Sequence, residues 1–353
     1  MWRDAPISAA PALAVSLLEE GQEPQWDAFV RRAPDATFCH LAGWKSVIER
    51  VFGHPTYYLT ARRGDVIVGV LPLAHVRSLL FGNALISTAF CMYGGPVAAD
   101  PAGRAALEAH AVEISERVRA DYLEFRSRET TRPDWLQKSD VYATFRKAID
   151  PDVAANLKAV PRKQRAMIRK GIALGLRSEI DADVERLHRV YAESVRNLGT
   201  PVFPRSLFRA LKARFGEDCD IVTVEHQGEA VASVMNFYFR DEVLPYYGGG
   251  TRQARALAAN DFMYWEVMRR ACERGYRVFD FGRSKLGTGA YDFKRYWGFE
   301  PTPLVYEYKL GTAKSLPDKS PLNPKYRLFI EMWKRLPLPI ANLLGPCIVR
   351  GTG

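Results

Sequence analysis

The sequence predicts an α/β protein built from two tandem copies of one domain, with mixed, mostly antiparallel sheets and a C-terminal helical tail. Three observations carry this. Phe52-Gly53, Thr60 and Val68 recur at one fixed spacing as Phe215-Gly216, Thr223 and Val231, with no gap needed. In both stretches a helical pattern ending in Phe-Gly leads to a short strand, a polar turn and a second apolar strand, the turns being Arg63-Gly64-Asp65 and Gln227-Gly228-Glu229. Further on, Tyr93-Gly94-Gly95 is echoed by Tyr247-Gly248-Gly249, and Tyr122-Leu123-Glu124-Phe125 by Val278-Phe279-Asp280-Phe281.

The bulk numbers agree. A chain of 353 residues, 47% hydrophobic and 12% aromatic, has the length and apolar content for two domains with their own cores, which argues against disorder. The expected boundaries are 1–155 for the first domain, 156–310 for the second, and 311–353 for a linker and amphipathic tail. Arg3 is followed at once by Asp4, and the apolar stretch from Ala9 to Leu18 runs into Glu19-Glu20, so it reads as a first strand and not a signal peptide. No apolar run approaches the ~20 residues needed to span a bilayer. The expected location is the cytoplasm, with peripheral contact at the inner membrane surface as a further expectation. Cysteines 39, 91, 219, 272 and 347 form no Cys-x-x-Cys pair, and the six histidines make no ligand spacing with them, so reduced thiols and no metal are expected.

The second copy is the more legible. Leu187, Val190, Tyr191, Val195 and Leu198 follow helical spacing, as do Leu207, Phe208, Leu211 and Phe215. Cys219 to His226 and Ala230 to Phe239 read as paired strands, and Leu244 to Tyr247 as a third that stops at Gly248-Gly249-Gly250. Asn260 is placed to cap a helix through Phe262, Trp265 and Met268, which Gly275 ends. Arg277 to Phe281 is then a strand carrying Asp280 among apolar residues, and a buried carboxylate needs partners. Glycines 282, 287 and 289, with Arg283, Lys285 and Lys294 nearby, suit a polyanionic or acyl substrate.

The net charge of +10 is concentrated. Lys158 to Arg177 holds seven basic residues and no acidic one. Pro161 opens the segment as a helix, on which Arg162, Arg165 and Arg169 share a stripe beside Lys163 and Lys170, with Ile168 and Ile172 supplying an apolar side. Such a helix is either a solvated connector or an anion clamp, because clustered guanidinium groups hold phosphates in bidentate fashion. The clamp is the reading preferred here.

The order helices, hairpin, strand, helix, strand is that of a GCN5-related N-acetyltransferase (GNAT) domain. Pro161-Arg162-Lys163-Gln164-Arg165, Asn260-Asp261-Phe262-Met263-Tyr264-Trp265-Glu266, Phe279-Asp280-Phe281-Gly282-Arg283-Ser284 and Phe293-Lys294-Arg295-Tyr296-Trp297-Gly298 together resemble the FemAB/FemX-like peptidyltransferases. The branch most resembled is the FemAB-like proteins associated with exosortase and PEP-CTERM exopolysaccharide systems. The resemblance covers about residues 20 to 310 and implies transfer of an acyl or aminoacyl group to an amine without metal, in peptidoglycan or exopolysaccharide biosynthesis.

By the same resemblance, Lys294 is the lysine facing the reacting carbonyl and acceptor phosphates. Asp280 orients the attacking amine or holds Arg283. Arg162, Lys163, Arg165, Arg169 and Arg283 are candidate phosphate ligands, while Tyr247, Asn260 and Tyr291 are candidates to line the pocket. The donor stays open between acyl-CoA and aminoacyl-tRNA. No tRNA-engaging helical hairpin is placed in the chain, and the Arg-x-x-Gly-x-Gly loop that holds coenzyme A pyrophosphate is missing before the Asn260 helix. The acceptor implied is a small-molecule or lipid-linked glycan or peptide. The competing reading is a catalytically dead scaffold that binds anionic glycan or nucleic acid.

After Leu310 the composition changes. Lys314 to Lys325 reads as a linker, Tyr326 through Trp333 as an amphipathic helix ending in Lys334 and Arg335, and Ile340 to Val349 as an apolar stretch. It packs on a domain or subunit, or docks on an anionic membrane.

Overall fold

The computed structural model describes residues 11–78, 81–316 and 324–353. The first half runs β1 (Leu13–Leu17), α1 (Glu23–Arg32), α2 (Gly43–Val47), β2 (Thr56–Arg63), β3 (Val66–Ser78), β4 (Gly82–Ser87), β5 (Val97–Ala98), α3 (Pro101–Arg117), β6 (Tyr122–Phe125) and β7 (Leu136–Ala148). The second half begins with α4 (Val153–Ala159), α5 (Arg162–Ala173), β8 (Arg177–Ile180), α6 (Glu185–Leu198) and α7 (Arg205–Phe215). Its sheet and remaining helices are β9 (Cys219–His226), β10 (Glu229–Phe239), β11 (Glu242–Gly250), α8 (Ala254–Leu257), α9 (Ala259–Glu273), β12 (Val278–Asp280), β13 (Ser284–Lys285), α10 (Gly289–Tyr296) and β14 (Pro301–Leu310). The tail adds α11 (Pro324–Arg335) and α12 (Leu338–Val349).

The repeat survives in strand register. Thr60 pairs with Val70 across the β2/β3 hairpin and Thr223 with Ser233 across β9/β10, so corresponding residues face corresponding partners. Each half also contains one parallel pair, β4 with β6 and β11 with β12, joined through the long helices α3 and α9. In the second half the parallel register holds only for Glu242 with Val278 and Val243 with Phe279. Beyond that point the strands part.

The halves are not laid end to end. β14, from the second half, lies between β6 and β7, while β7, from the first half, pairs along its other edge with β12 and β13. The expected boundaries at 155 and 310 therefore do not cut the chain into separable units. The cause is hydrogen-bond satisfaction: β7 finds its ladder partners only through the exchange, and β6 and β12 each gain a second neighbour by it.

The cores follow the same logic. Leu71, Leu107 and Phe125 belong to a cluster of the first half, and Val234, Phe262 and Phe281 to one of the second. A third cluster joins them. There Phe38 stacks on Phe237 with ring centroids 4.3 Å apart, and both it and Trp44 pack against Phe215. A Cβ on Gly43 would lie 2.8 Å from the Phe215 ring, so glycine permits the close approach of α2 to α7. Burying each such ring stabilises the chain by about 1.5–3 kcal/mol.

Four sequence expectations need correction. Gly248-Gly249-Gly250 does not end β11 but continues it against Ala232–Val234, and its glycines are close-packed on Val234, Ser194 and Ala254 instead of open to a ligand. The echo at Tyr93-Gly94-Gly95 lies in a loop beyond β4. Asn260 is inside the first turn of α9, whose capping position is Ala258. Ile172, expected on the apolar side of the basic helix, is 53% exposed. Residues Arg3, Asp4 and Ala9, and the linker positions 317–323, lie outside the described residues.

The strand exchange predicts that urea unfolding of the whole chain, followed by circular dichroism and by tryptophan fluorescence, shows one coincident transition. Residues 156–310 expressed alone should aggregate because β14 loses both its neighbours and β12 one of its two. Two separated transitions would contradict an interlocked sheet.

Candidate active site

The segment after β12 turns sharply at Gly282, whose φ of 67° belongs to the left-handed region. Lys294, in the last turn of α10, reaches back under this turn. Its Nζ donates to the carbonyl oxygens of Phe281 at 2.6 Å, Gly282 at 3.0 Å and Arg283 at 3.1 Å. Three acceptors for three N–H groups suit the ammonium form. Burial acts the other way and draws the Lys294 pKa down to about 7, against the pull of Asp280 and with the push of Arg283. The expected surface of charge facing a substrate is thus a buried ammonium holding the backbone of residues 281–283.

Asp280 is fully buried. Its carboxylate accepts from the Gly282 N–H at 2.7 Å and the Tyr93 hydroxyl at 3.1 Å, and forms an ion pair with Arg146 at 3.3 Å. The sequence offered Arg283 as its partner; the structure supplies Arg146 from β7, which also pairs with Glu242 on β11. Burial raises the Asp280 pKa, opposed chiefly by Arg146. Sequence reading missed Arg146 and Tyr93 as partners because they lie well over a hundred residues upstream, and only the strand exchange brings β7 beside β12.

The gap where β11 and β12 part is occupied by the loop after β4. Met92 accepts through its carbonyl from the Tyr306 hydroxyl, donates its N–H to the Tyr246 hydroxyl oxygen, and presents Sδ 3.3 Å from the Arg283 nitrogen. A Cβ on Gly282 would lie 2.6 Å from that sulfur. The Arg283 amide therefore has only a thioether, a weak acceptor, as partner.

Other expected site residues fall in three places. Arg162, Lys163 and Arg169 are exposed on α5 and Arg165 is half-buried, donating to the Lys158 carbonyl at 3.0 Å. None of the four has a carboxylate partner among the described residues, and Lys163 lies over the Tyr296 ring of α10 at 5.8 Å. Tyr291 packs edge-on against Phe145. Tyr247 is buried among Tyr191, Phe203 and Phe208, with no partner for its hydroxyl.

The N-terminal ends of the two long helices differ. At α3, Asp100 caps the helix by accepting from the Gly103 N–H at 2.7 Å, which puts a fixed carboxylate where an anion would otherwise bind. At α9 there is no side-chain cap, and Thr251 Oγ1 and Asn260 Oδ1 beside it are buried without partners. Asp261, in the first turn, accepts from Trp297 Nε1, and burial raises its pKa to about 6.

Among the described residues no group of three or more His, Cys, Asp or Glu side chains is placed to hold a metal ion.

The comparisons with known proteins agree with this geometry. Residues 160–295, which span α5 to α10, match the family model of the acetyltransferase (GNAT) domain. This stretch is thus a GNAT domain, the fold of an acyltransferase. The whole tandem fold of the chain resembles the crystal structure of FemX, with a TM-score of 0.65, 13% identity, and coverage of 90% of this chain and 100% of that one. It also resembles a tandem GNAT protein from the clavulanic acid biosynthesis pathway, with a TM-score of 0.53, 16% identity and coverage of 86% and 100%. A third match is the C-terminal domain of a putative lysylphosphatidylglycerol synthetase from Agrobacterium fabrum, with a TM-score of 0.53, 14% identity and coverage of 82% and 92%. No protein of curated function matches the sequence. The fold is thus of the FemAB-like, tandem GNAT kind.

The depressed Lys294 pKa carries a sign. From about pH 7 to the ordinary lysine value near 10.5 the unfolded chain binds the extra proton, so this group makes stability rise with pH across that window. Urea unfolding across the same window should show wild type gaining stability on Lys294→Met as pH increases. A pH-independent difference would show that Lys294 titrates normally.

Proposed function

We propose that the protein transfers an activated acyl or aminoacyl group to an amine of an envelope precursor, of the peptidoglycan or exopolysaccharide kind, at the point where β11 and β12 diverge. The observation that carries this reading is the Lys294 clamp, which fixes the 281–283 backbone and its positive charge at that point. An oxyanion formed on the acyl carbonyl would replace Met92 Sδ as acceptor of the Arg283 N–H, with the Lys294 charge beneath it. The amine forms the new C–N bond, the tetrahedral intermediate expels the thiolate or ribose oxygen, and the amine proton leaves with that group or to solvent. Asp280 positions Gly282 and Arg146 and does not touch substrate.

The uncapped α9 terminus, with Thr251, Asn260, Arg252 and Arg255, would hold the anionic part of an acyl-CoA donor. The bare cationic face of α5 suits a larger anion, either the phosphates of a nucleotide- or lipid-linked acceptor or a tRNA. FemX and the lysylphosphatidylglycerol synthetase domain support a precursor- or lipid-linked acceptor by fold. The second half is the catalytic one on this reading, since Asp100 blocks the matching place in the first. A binding-only scaffold has one observation in its favour, the unpaired α5 cations, and predicts salt-dependent binding with no turnover.

Acyl-CoAs and a charged tRNA pool, each offered with UDP-linked amino sugars, should identify one productive pair. With it, Lys294→Met should lower kcat by about 10²–10³-fold, the usual loss for one oxyanion-stabilising group, with KM little changed. Equal kcat in the variant would remove Lys294 from the reaction.

The tail supports a place at a membrane surface. No helix among the described residues is long and apolar enough to cross a membrane. Leu328, Met332 and Leu343 are nonetheless 70%, 61% and 74% exposed, and Phe329, Ile340 and Leu344 are exposed beside them. Both tail helices pack on α6, whose Leu198 is also exposed, and α11 ends in Lys334, ion-paired with Glu331, and Arg335. Apolar side chains rimmed by cations match an anionic bilayer surface. The full chain should pellet with vesicles containing anionic lipid, and Leu328→Glu with Leu343→Glu should abolish pelleting; unchanged pelleting would assign the surface to another partner.

A further inference from the structure

Arg126 follows β6 in the first half and Arg283 follows β12 in the second, and the strand exchange delivers both to one pocket of about 300 Å³. Neither half contains this pocket alone. Its floor is Tyr306 on β14, whose hydroxyl accepts from Arg283 Nη1 at 2.8 Å. The Arg283 guanidinium also lies 4.5 Å from the Tyr142 ring centroid, and that of Arg126 lies 5.7 Å from the Tyr306 ring. Stacked, oriented guanidinium groups are preorganised to make bidentate bonds.

The charges in the pocket do not balance. Arg126 is paired with Glu124 at 2.7 Å. Arg283 has no carboxylate within ion-pair distance among the described residues, and neither has Lys138, whose ammonium lies over the Tyr308 ring at 5.7 Å. Glu124 and the terminal carboxylate of Gly353 both face Arg126, so Arg283 and Lys138 are the two cations of this partly enclosed aromatic site without a carboxylate partner among the described residues. A cation withdrawn from water without a counter-charge is costly, so a site that keeps one is built for an anion. Arg126 is already engaged on both sides, since its Nη2 donates to the terminal carboxylate of Gly353 at 3.3 Å.

We propose that this pocket binds a phosphate-bearing small molecule, with Arg283 and Lys138 as its main ligands and Arg126 completing the cradle. Two unpaired cations match a phosphate monoester or diphosphate better than a single carboxylate. The site is separate from the α9 terminus assigned above to the donor. Its test does not depend on whether acyl transfer is observed.

Isothermal titration of the full chain with inorganic diphosphate, at constant ionic strength and with citrate as a second anion, reads the site directly. Diphosphate should bind wild type and the exposed α6 variant Arg189→Gln alike, and should bind Arg283→Gln at least about tenfold more weakly, the scale of one lost charge-assisted pair. If Arg283→Gln does not fold, judged by its near-UV circular dichroism, Lys138→Gln serves, because Lys138 is at the pocket edge and its loss should still weaken binding severalfold. Absence of diphosphate binding to wild type, equal affinity in the folded variants, or citrate binding as tightly as diphosphate would each overturn the proposal.

Discussion

The molecule depends on β7 having two neighbours. Along one edge it pairs with β14 from Pro301 to Tyr308, and at its end it pairs on the other edge with β12 from Val278 to Asp280. Because β14 in turn pairs with β6, the ladder runs without interruption from the first strand to the last of the sheet. A buried N–H or C=O left unpaired costs as much as a lost hydrogen bond, so neither half can leave this arrangement cheaply. The aromatic cluster of Phe38, Trp44, Phe215 and Phe237 then fills the angle between them.

The site inherits its order from that exchange. Arg146 stands on β7 immediately opposite Asp280, and through it the carboxylate is tied to Glu242 on β11. Tyr93 brings a second donor from the first half and is itself bonded to Thr144 on β7. With Asp280 held from three sides, the Gly282 turn has one position, and Lys294 closes it from below. The candidate site of the second half is therefore held in place by groups of the first. A duplicated domain has here become a partner in the site, while Asp100 at the head of α3 occupies the place where its own copy would take an anion.

Legibility in the sequence varied with the range of the interaction concerned. The Thr60 and Thr223 repeat was visible because it is a fixed offset along the chain, and it reappears as matching register in two hairpins. The Cys219–His226 strand and the Gly275 helix stop follow from local pattern and from the backbone freedom of glycine. Gly248-Gly249-Gly250 was misread for an instructive reason. Three glycines look like a loop, but here each makes room for a neighbour, Val234, Ser194 or Ala254, that the sequence does not reveal. Asn260 has a good capping side chain, yet the preceding α8 brings the chain in so that Ala258 takes the capping position.

The amino-acid sequence by itself determined the α/β class, the duplication, the cationic α5 and the cluster around Asp280 and Lys294, since these rest on periodicity, composition and short spacing. Only the tertiary structure decided what those residues touch. Lys294 was legible as a lysine near a glycine turn, but that its three N–H groups are committed to three carbonyls depends on how α10 packs under β12. Arg126 and Arg283 are well over a hundred residues apart and meet because β14 crosses into the first half. Strand exchange leaves no local mark on a sequence, because a strand reads the same whichever sheet it completes.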